Sequence, residues 1–170
     1  MLIEDVGALY KNYYKDLYRY IYFMTFNNHD TEDILQNVFI KVMRGKDCFR
    51  GDSHIKTWIF SIAHNECINY LNRKRKIIHI ENLDVSIICA NNNIEEKILN
   101  REAVDIVMGF IQSCEEPVRS LLILRLIEEK SFMEIGNIIN RSDTWCRVTF
   151  FRTKKNLISV LDEYGGEKTK

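Results

Sequence analysis

The chain has 170 residues, 46% hydrophobic and 28% charged, which suits one medium folded unit or two small ones. No apolar run approaches the roughly 20 residues of a membrane span, and MLIEDVGALYKNYYKDLYRY at the N-terminus lacks a signal peptide's apolar stretch. The formal net charge is zero, yet the charges are segregated. Residues 41–80 carry nine bases against three acids, and residues 141–156 five against one, whereas residues 81–118 carry two bases and eight acids. Two basic islands split by an acidic stretch fit two contacts with one polyanion, and solvated helix faces produce the same pattern. One proline and seven glycines are too few for a turn-rich all-β fold. The expected class is all-α. Five scattered cysteines (Cys48, Cys67, Cys89, Cys114, Cys146) never form C-x-x-C, which argues against a zinc module or disulfide framework and fits the cytoplasm.

In chain order, residues 6–26 predict a helix, with Val6, Leu9, Tyr10, Tyr13, Leu17, Tyr20, Ile21 and Met24 at three- and four-residue spacing. A second helix follows in DTEDILQNVFIKVMRG, with Asp30 as the candidate cap and Gly45 at its end. Ile34, Leu35, Val38, Phe39 and Val42 form its inner stripe. Asp33, Gln36, Asn37, Ile40 and Arg44 lie opposite, an apolar residue inside a polar ring, which is compatible with a protein contact. After the loop KDCFRGDS, a long helix is expected from about Ser53 to Lys76. Its inner face is Ile55, Ile59, Ile62, Ala63 and Tyr70. Its outer face is His54, Ser61, Asn65, Ile68, Asn72, Arg75 and Lys76, with Arg50 and Lys56 near its start. Amides, hydroxyls and a terminal RKRK are donors suited to bases and phosphates. His64 and Cys67 make half a metal site at most and read as helix-surface residues.

The segment IIHIENLDVSIICANNN breaks helical periodicity and reads as a linker. Helices resume from Ile94 to Ser113 and after Pro117, and YGGEKTK reads as a frayed tail. In SFMEIGNIIN, Ser131 and Glu134 form a capping box, Gly136 permits a close approach, and Asn140 suits a left-handed turn. SDTWCRVTFFRTKKNL is rich in strand-favouring residues, but only helical winding separates a Cys146, Phe150, Thr153, Leu157 stripe from its basic face. That other face carries Thr144, Arg147, Val148, Phe151, Arg152 and Lys155. The pair makes a helix-turn-helix whose second helix would enter the major groove, where thymine methyls suit Val148 and Phe151. An ordinary helical hairpin with a basic rim accounts for this stretch equally well. A Gly-rich phosphate loop, a paired-carboxylate signature and H-E-x-x-H are all absent from the sequence, so no enzyme activity, metal or cofactor is expected.

With these pieces in order, the chain resembles the bacterial extracytoplasmic-function sigma factors over residues 5–76 and 95–161. DTEDILQNVFIKVMR is similar to the family's D-A-E-D-hydrophobic-hydrophobic-Q-E-x-F segment. FRGDSHIKTWIFSIAHNECINYLNRKRK resembles its F-x-G-x-S…T-W-L-x-x-I-A-x-N…D-x-L-R-R stretch. EEPVRSLLILRLIEEKSFMEIGNIINRSDTWCRVTFFRTKKNL resembles its P-E-x-x-R…L-S-Y-x-E-I-A…G-T-V-K-S-R-L-x-R-A-R-K-K-L.

The resemblance implies two small helical domains joined by a flexible linker: 1–76 like sigma region 2, linker 77–94, 95–162 like sigma region 4, and tail 163–170. It implies binding to core RNA polymerase, at the clamp helices through Asp33, Gln36, Asn37 and Ile40 and also at the flap. It implies capture of the −10 promoter element by Phe49, Arg50, Ser53, His54, Lys56, Trp58, Ser61, Asn65, Asn72, Arg73, Arg75 and Lys76. The −35 element would fall to Thr144, Arg147, Val148, Phe151, Arg152 and Lys155, and an anti-sigma factor is implied as a further partner. Asn69 and Asn72 stand where the family has Asp and Arg, Gly136 where Ala is usual, Arg141 where a small apolar residue is usual, and Trp145-Cys146 where Thr-Val is usual. Two other readings remain: a helix-turn-helix regulator acting without polymerase, and a helical adaptor independent of DNA.

Overall fold

A computed structural model describes residues 6–45, 49, 51, 54–81 and 98–166. Among these, seven α-helices and no strand are found: α1 (Val6–Thr25), α2 (Asn28–Gly45), α3 (Ile55–Glu81), α4 (Ile98–Ser113), α5 (Val118–Leu126), α6 (Phe132–Ile139) and α7 (Asp143–Gly166). The all-α class is as expected. Helix α3 runs five residues past the expected end at Lys76, and α7 continues into the expected tail. The chain between α3 and α4, which holds most of the expected linker, lies outside the described residues.

Helices α1, α2 and α3 pack on one another, and α4, α5, α6 and α7 form a second group. Leu17, Tyr20, Ile21 and Met24 of α1 meet Ile34, Leu35, Val38, Phe39 and Val42 of α2, the stripes expected from their spacing. Asn27, not Asp30, caps α2: its Oδ1 accepts the Asp30 N–H at 3.0 Å, and its carbonyl accepts the Thr31 N–H at 3.0 Å. The helix therefore starts two residues before Asp30. That leaves the Asp30 carboxylate in the first turn, where it meets Lys74 Nζ of α3 at 2.7 Å.

The two groups touch through α1 with α5 and α3 with α6, so their interiors merge into one apolar cluster. Helix α5 explains why. Its successive residues Leu121, Leu122, Ile123 and Leu124 are all buried, and at about 100° per residue they face nearly every direction. Helices α4, α6 and α7 cover part of that surface, and α1 covers more. Helix α3 is likewise enclosed on two sides. Phe60, His64 and Cys67 are buried, correcting the reading of His64 and Cys67 as surface residues. Burial pushes the Cys67 thiol up and lowers His64 to about 4, so His64 stays neutral.

Candidate nucleic-acid interface

Helix α6 opens on the expected capping box: Ser131 Oγ accepts the Glu134 N–H at 3.2 Å, and Glu134 Oε2 accepts the Ser131 N–H at 2.9 Å. Its end is the expected left-handed Asn140, at φ 55°, and the Arg141 N–H donates to the Gly136 carbonyl at 2.9 Å. A Cβ on Gly136 would lie 2.5 Å from the Arg141 carbonyl oxygen, so the close approach is by the turn itself rather than by the following helix. Ser142 then caps α7 by accepting the Trp145 N–H at 3.1 Å.

Helix α7 buries Cys146, Thr149, Phe150 and Leu157, with Thr153 half-buried. Its candidate residues Thr144, Arg147, Val148, Phe151, Arg152 and Lys155 are all exposed on the other side. Val148 is 60% exposed and Phe151 58%, apolar side chains left in water among cations. Phe151 is braced by Phe150, with ring centroids 5.7 Å apart, and by Phe132 at 6.2 Å. Arg147 is aimed rather than free: Asp143 Oδ2 accepts its Nη2 hydrogen at 2.9 Å, and its guanidinium lies 5.2 Å from the Phe132 ring centre.

The α3 candidates divide. Asn65, Asn72, Arg73 and Arg75 are exposed, as is His54 just before the helix. Ser61 is half-buried and spends its hydroxyl on the Trp58 carbonyl at 2.7 Å. Trp58 packs against Phe49 in a tilted arrangement, with centroids 5.2 Å apart, and is half-buried against the core. Lys56 donates to Asp16 Oδ2 of α1 at 2.7 Å. Arg50, Ser53 and the Lys76 side chain lie outside the described residues.

Asp33, Gln36, Asn37 and Ile40 come together on the exposed face of α2, where they line a surface cleft with Tyr70, Arg73 and Lys74 of α3. Burial works against the charge of Asp30 beside this cleft. Hydrogen bonds from Lys74 and Tyr70 outweigh it and hold the carboxyl below its usual range. The bond to Asp30 and burial push Tyr70 up to about 12, so its hydroxyl remains a donor. An adjoining apolar groove runs over Tyr10, Tyr14, Phe39, Ile40 and Met43, with the Tyr10 and Phe39 rings 4.7 Å apart. Sequence reasoning missed Tyr10 and Met43 as surface residues. Met43 lies three places after Ile40 on the same polar face, and that spacing was the available signal. Among the described residues, no cluster of His, Cys, Asp and Glu could hold a metal ion.

Sigma-70 region 2 matches residues 9–77. The ECF RNA polymerase sigma-E factor of Escherichia coli (strain K12) is 33% identical, with 74% of this chain aligned to 71% of that protein. RNA polymerase sigma factor YlaC of Bacillus subtilis (strain 168) is 29% identical over 94% of this chain and 96% of its own length. The solved structure of the sigma factor RpoE in complex with the anti-sigma factor NepR from Bartonella quintana is similar in fold. It has a TM-score of 0.76 at 14% identity, covering 94% of this chain and 98% of that one. This chain belongs to the extracytoplasmic-function sigma factors of the sigma-70 family.

Proposed function

We infer that the chain is an alternative sigma factor, which binds core RNA polymerase and directs initiation at particular promoters without bond chemistry of its own. The observation that carries this is kinship spanning both helical groups, since the alignment with YlaC takes in 94% of this chain. A regulator built on α6 and α7 alone, or a helical adaptor, has no need of the α1–α3 group in that order. Residues 1–76 act as the polymerase-binding and −10 domain, 77–94 as the linker and 95–162 as the −35 domain, with 163–170 as a tail.

Asp33, Gln36, Asn37 and Ile40 form the polymerase contact, and the neighbouring Tyr10–Met43 groove extends it with apolar surface. The exposed amides and cations of α3 meet the unpaired −10 strand, where unstacking a base costs a few kcal/mol that these contacts must offset. Helix α7 lies in the −35 major groove, with Arg147 and Arg152 toward phosphates or guanine edges. Among the described residues no helix is long and apolar enough to cross a membrane, and the place of action is the cytoplasm, with the polymerase. RpoE and CnrH were solved with the anti-sigma factor NepR and the cytosolic domain of CnrY, respectively, and an anti-sigma partner is part of this reading.

The exposed pair Val148 and Phe151 supplies a chemical test. Replacing single thymines of the −35 element by deoxyuridine removes only the C5 methyl group. At thymines packed on this pair, holoenzyme binding should fall about fourfold, the worth of one buried methyl at about 0.8 kcal/mol. Val148→Ala should lose sensitivity at its own thymine while keeping it elsewhere. Indifference of wild-type holoenzyme to every such replacement would show that these side chains do not face bases.

A further inference from the structure

Arg147, on the exposed face of α7, is held by two neighbours. Asp143, one turn earlier, accepts an Nη2 hydrogen at 2.9 Å, and both side chains stay wet, Arg147 57% exposed and Asp143 40%. The Phe132 ring of α6 lies 5.2 Å from the Arg147 guanidinium. That ring is fixed in turn. It is buried, and its centroid lies 5.5 Å from that of Phe150 and 6.2 Å from that of Phe151. The Arg125 guanidinium of α5 lies 4.7 Å from the same ring centre, and it donates to the Lys130 carbonyl at 2.7 Å. Among the described residues, Arg152 and Lys155 on the same face of α7 have no comparable side-chain partner.

Restraint of this kind suits one ligand better than another. A phosphate asks only for positive charge within reach. Guanine presents O6 and N7 side by side, and so favours a guanidinium whose plane and direction are already set. Asp143 takes one of the five N–H groups of Arg147, which leaves donors enough for a bidentate contact. The carboxylate also discriminates by charge. A phosphate drawn to Arg147 would sit close to Asp143 and be repelled, whereas the neutral acceptors of guanine escape that repulsion. Position agrees, because Arg147 lies one turn into α7, and the early residues of a recognition helix are those that reach base edges.

We propose that Asp143 and Phe132 are positioning residues, which aim Arg147 at a guanine of the −35 element and away from the phosphates. Promoter choice at one base pair is then set by two side chains that act through a third. The inference deepens the −35 reading of α7 and rests on it. An arginine already held loses less freedom on binding than a mobile one, so the gain falls on the cognate guanine. Repulsion from Asp143 falls on every other placement of the guanidinium. Base discrimination rises, and sequence-independent affinity falls.

The test uses the full chain, with and without core polymerase, on a randomised pool of duplexes. The selected −35 sequence is then remade with 7-deazaguanine, which lacks N7, at one guanine at a time. For wild type, one such replacement should weaken binding on the order of tenfold, and Arg147→Ala should be indifferent to it. Asp143→Asn should relax the choice at that pair and bind unselected duplex more tightly, with a salt slope steeper by about 0.9, the worth of one phosphate contact. Phe132→Leu, which keeps apolar volume without a ring, should relax the choice as well, and Phe132→Tyr should retain it. If Phe132→Leu also lowers the urea midpoint, Asp143→Asn decides alone, since it alters a wet surface. Wild-type selectivity and salt slope in Asp143→Asn would overturn the proposal. So would core-dependent initiation with no guanine that depends on Arg147, which leaves the sigma reading intact. A guanine chosen through Arg147 by the chain alone, without core-dependent initiation, would sink the sigma reading and leave the proposal standing.

Discussion

Phe60→Ala is expected to destabilise the chain by about 4 kcal/mol, read as a lower midpoint in urea unfolding. Phe60 is fully buried and packs on Tyr20, with ring centroids 5.6 Å apart, while the Lys130 ammonium lies 4.3 Å from its ring centre. Truncation removes the burial of an aromatic ring and leaves a cavity ringed by α1, α3 and the turn before α6, which are too tightly connected to collapse into it. Phe60→Leu, which refills most of the volume, should cost about 1.5 kcal/mol or less. A loss below about 1 kcal/mol for the alanine variant would mean that this junction is not packed as described.

The second large effect is expected at the α2 face. Asp33→Ala combined with Gln36→Ala should weaken binding to core polymerase on the order of 10- to 100-fold, measured by titration of labelled chain. Both side chains are exposed and line the cleft that Tyr70, Arg73 and Lys74 complete, so their loss removes contacts without opening a cavity in the core. Helix content and urea midpoint should change little. Binding within a factor of two of wild type would move the polymerase contact elsewhere, and the apolar Tyr10–Met43 groove would be the next surface to probe.

The parts of the fold that were legible in the sequence are those with one covered face and one wet face. In α2 and α7 a narrow apolar stripe repeats at helical spacing, and Val38, Val42, Cys146 and Phe150 are buried as that spacing requires. The capping box of Ser131 and Glu134 and the left-handed Asn140 were legible because each depends on residues a few places apart. Helix α3 was read less well because α1 and α2 cover one side and α6 another, which blurs its amphipathic pattern. Phe60 was passed over, and His64 and Cys67 were placed on the surface for that reason. The start of α2 was misplaced because Asn27 and Asp30 are both capable caps, and only the backbone path at Phe26, with φ 51°, selects the earlier one. The contact between the two helical groups had no local signal at all: Arg19 of α1 donates to Glu128, in the turn after α5, at 2.7 Å, yet the two are 109 positions apart and each alone resembles an ordinary surface charge.

Run-off transcription with purified core polymerase tests the central claim most directly. Templates drawn from a genomic library should yield discrete transcripts that appear only when this chain is added. Their start sites should share one upstream −10 and −35 pair. Failure to direct initiation from any template, with core polymerase shown to be active with another sigma factor, would contradict the account.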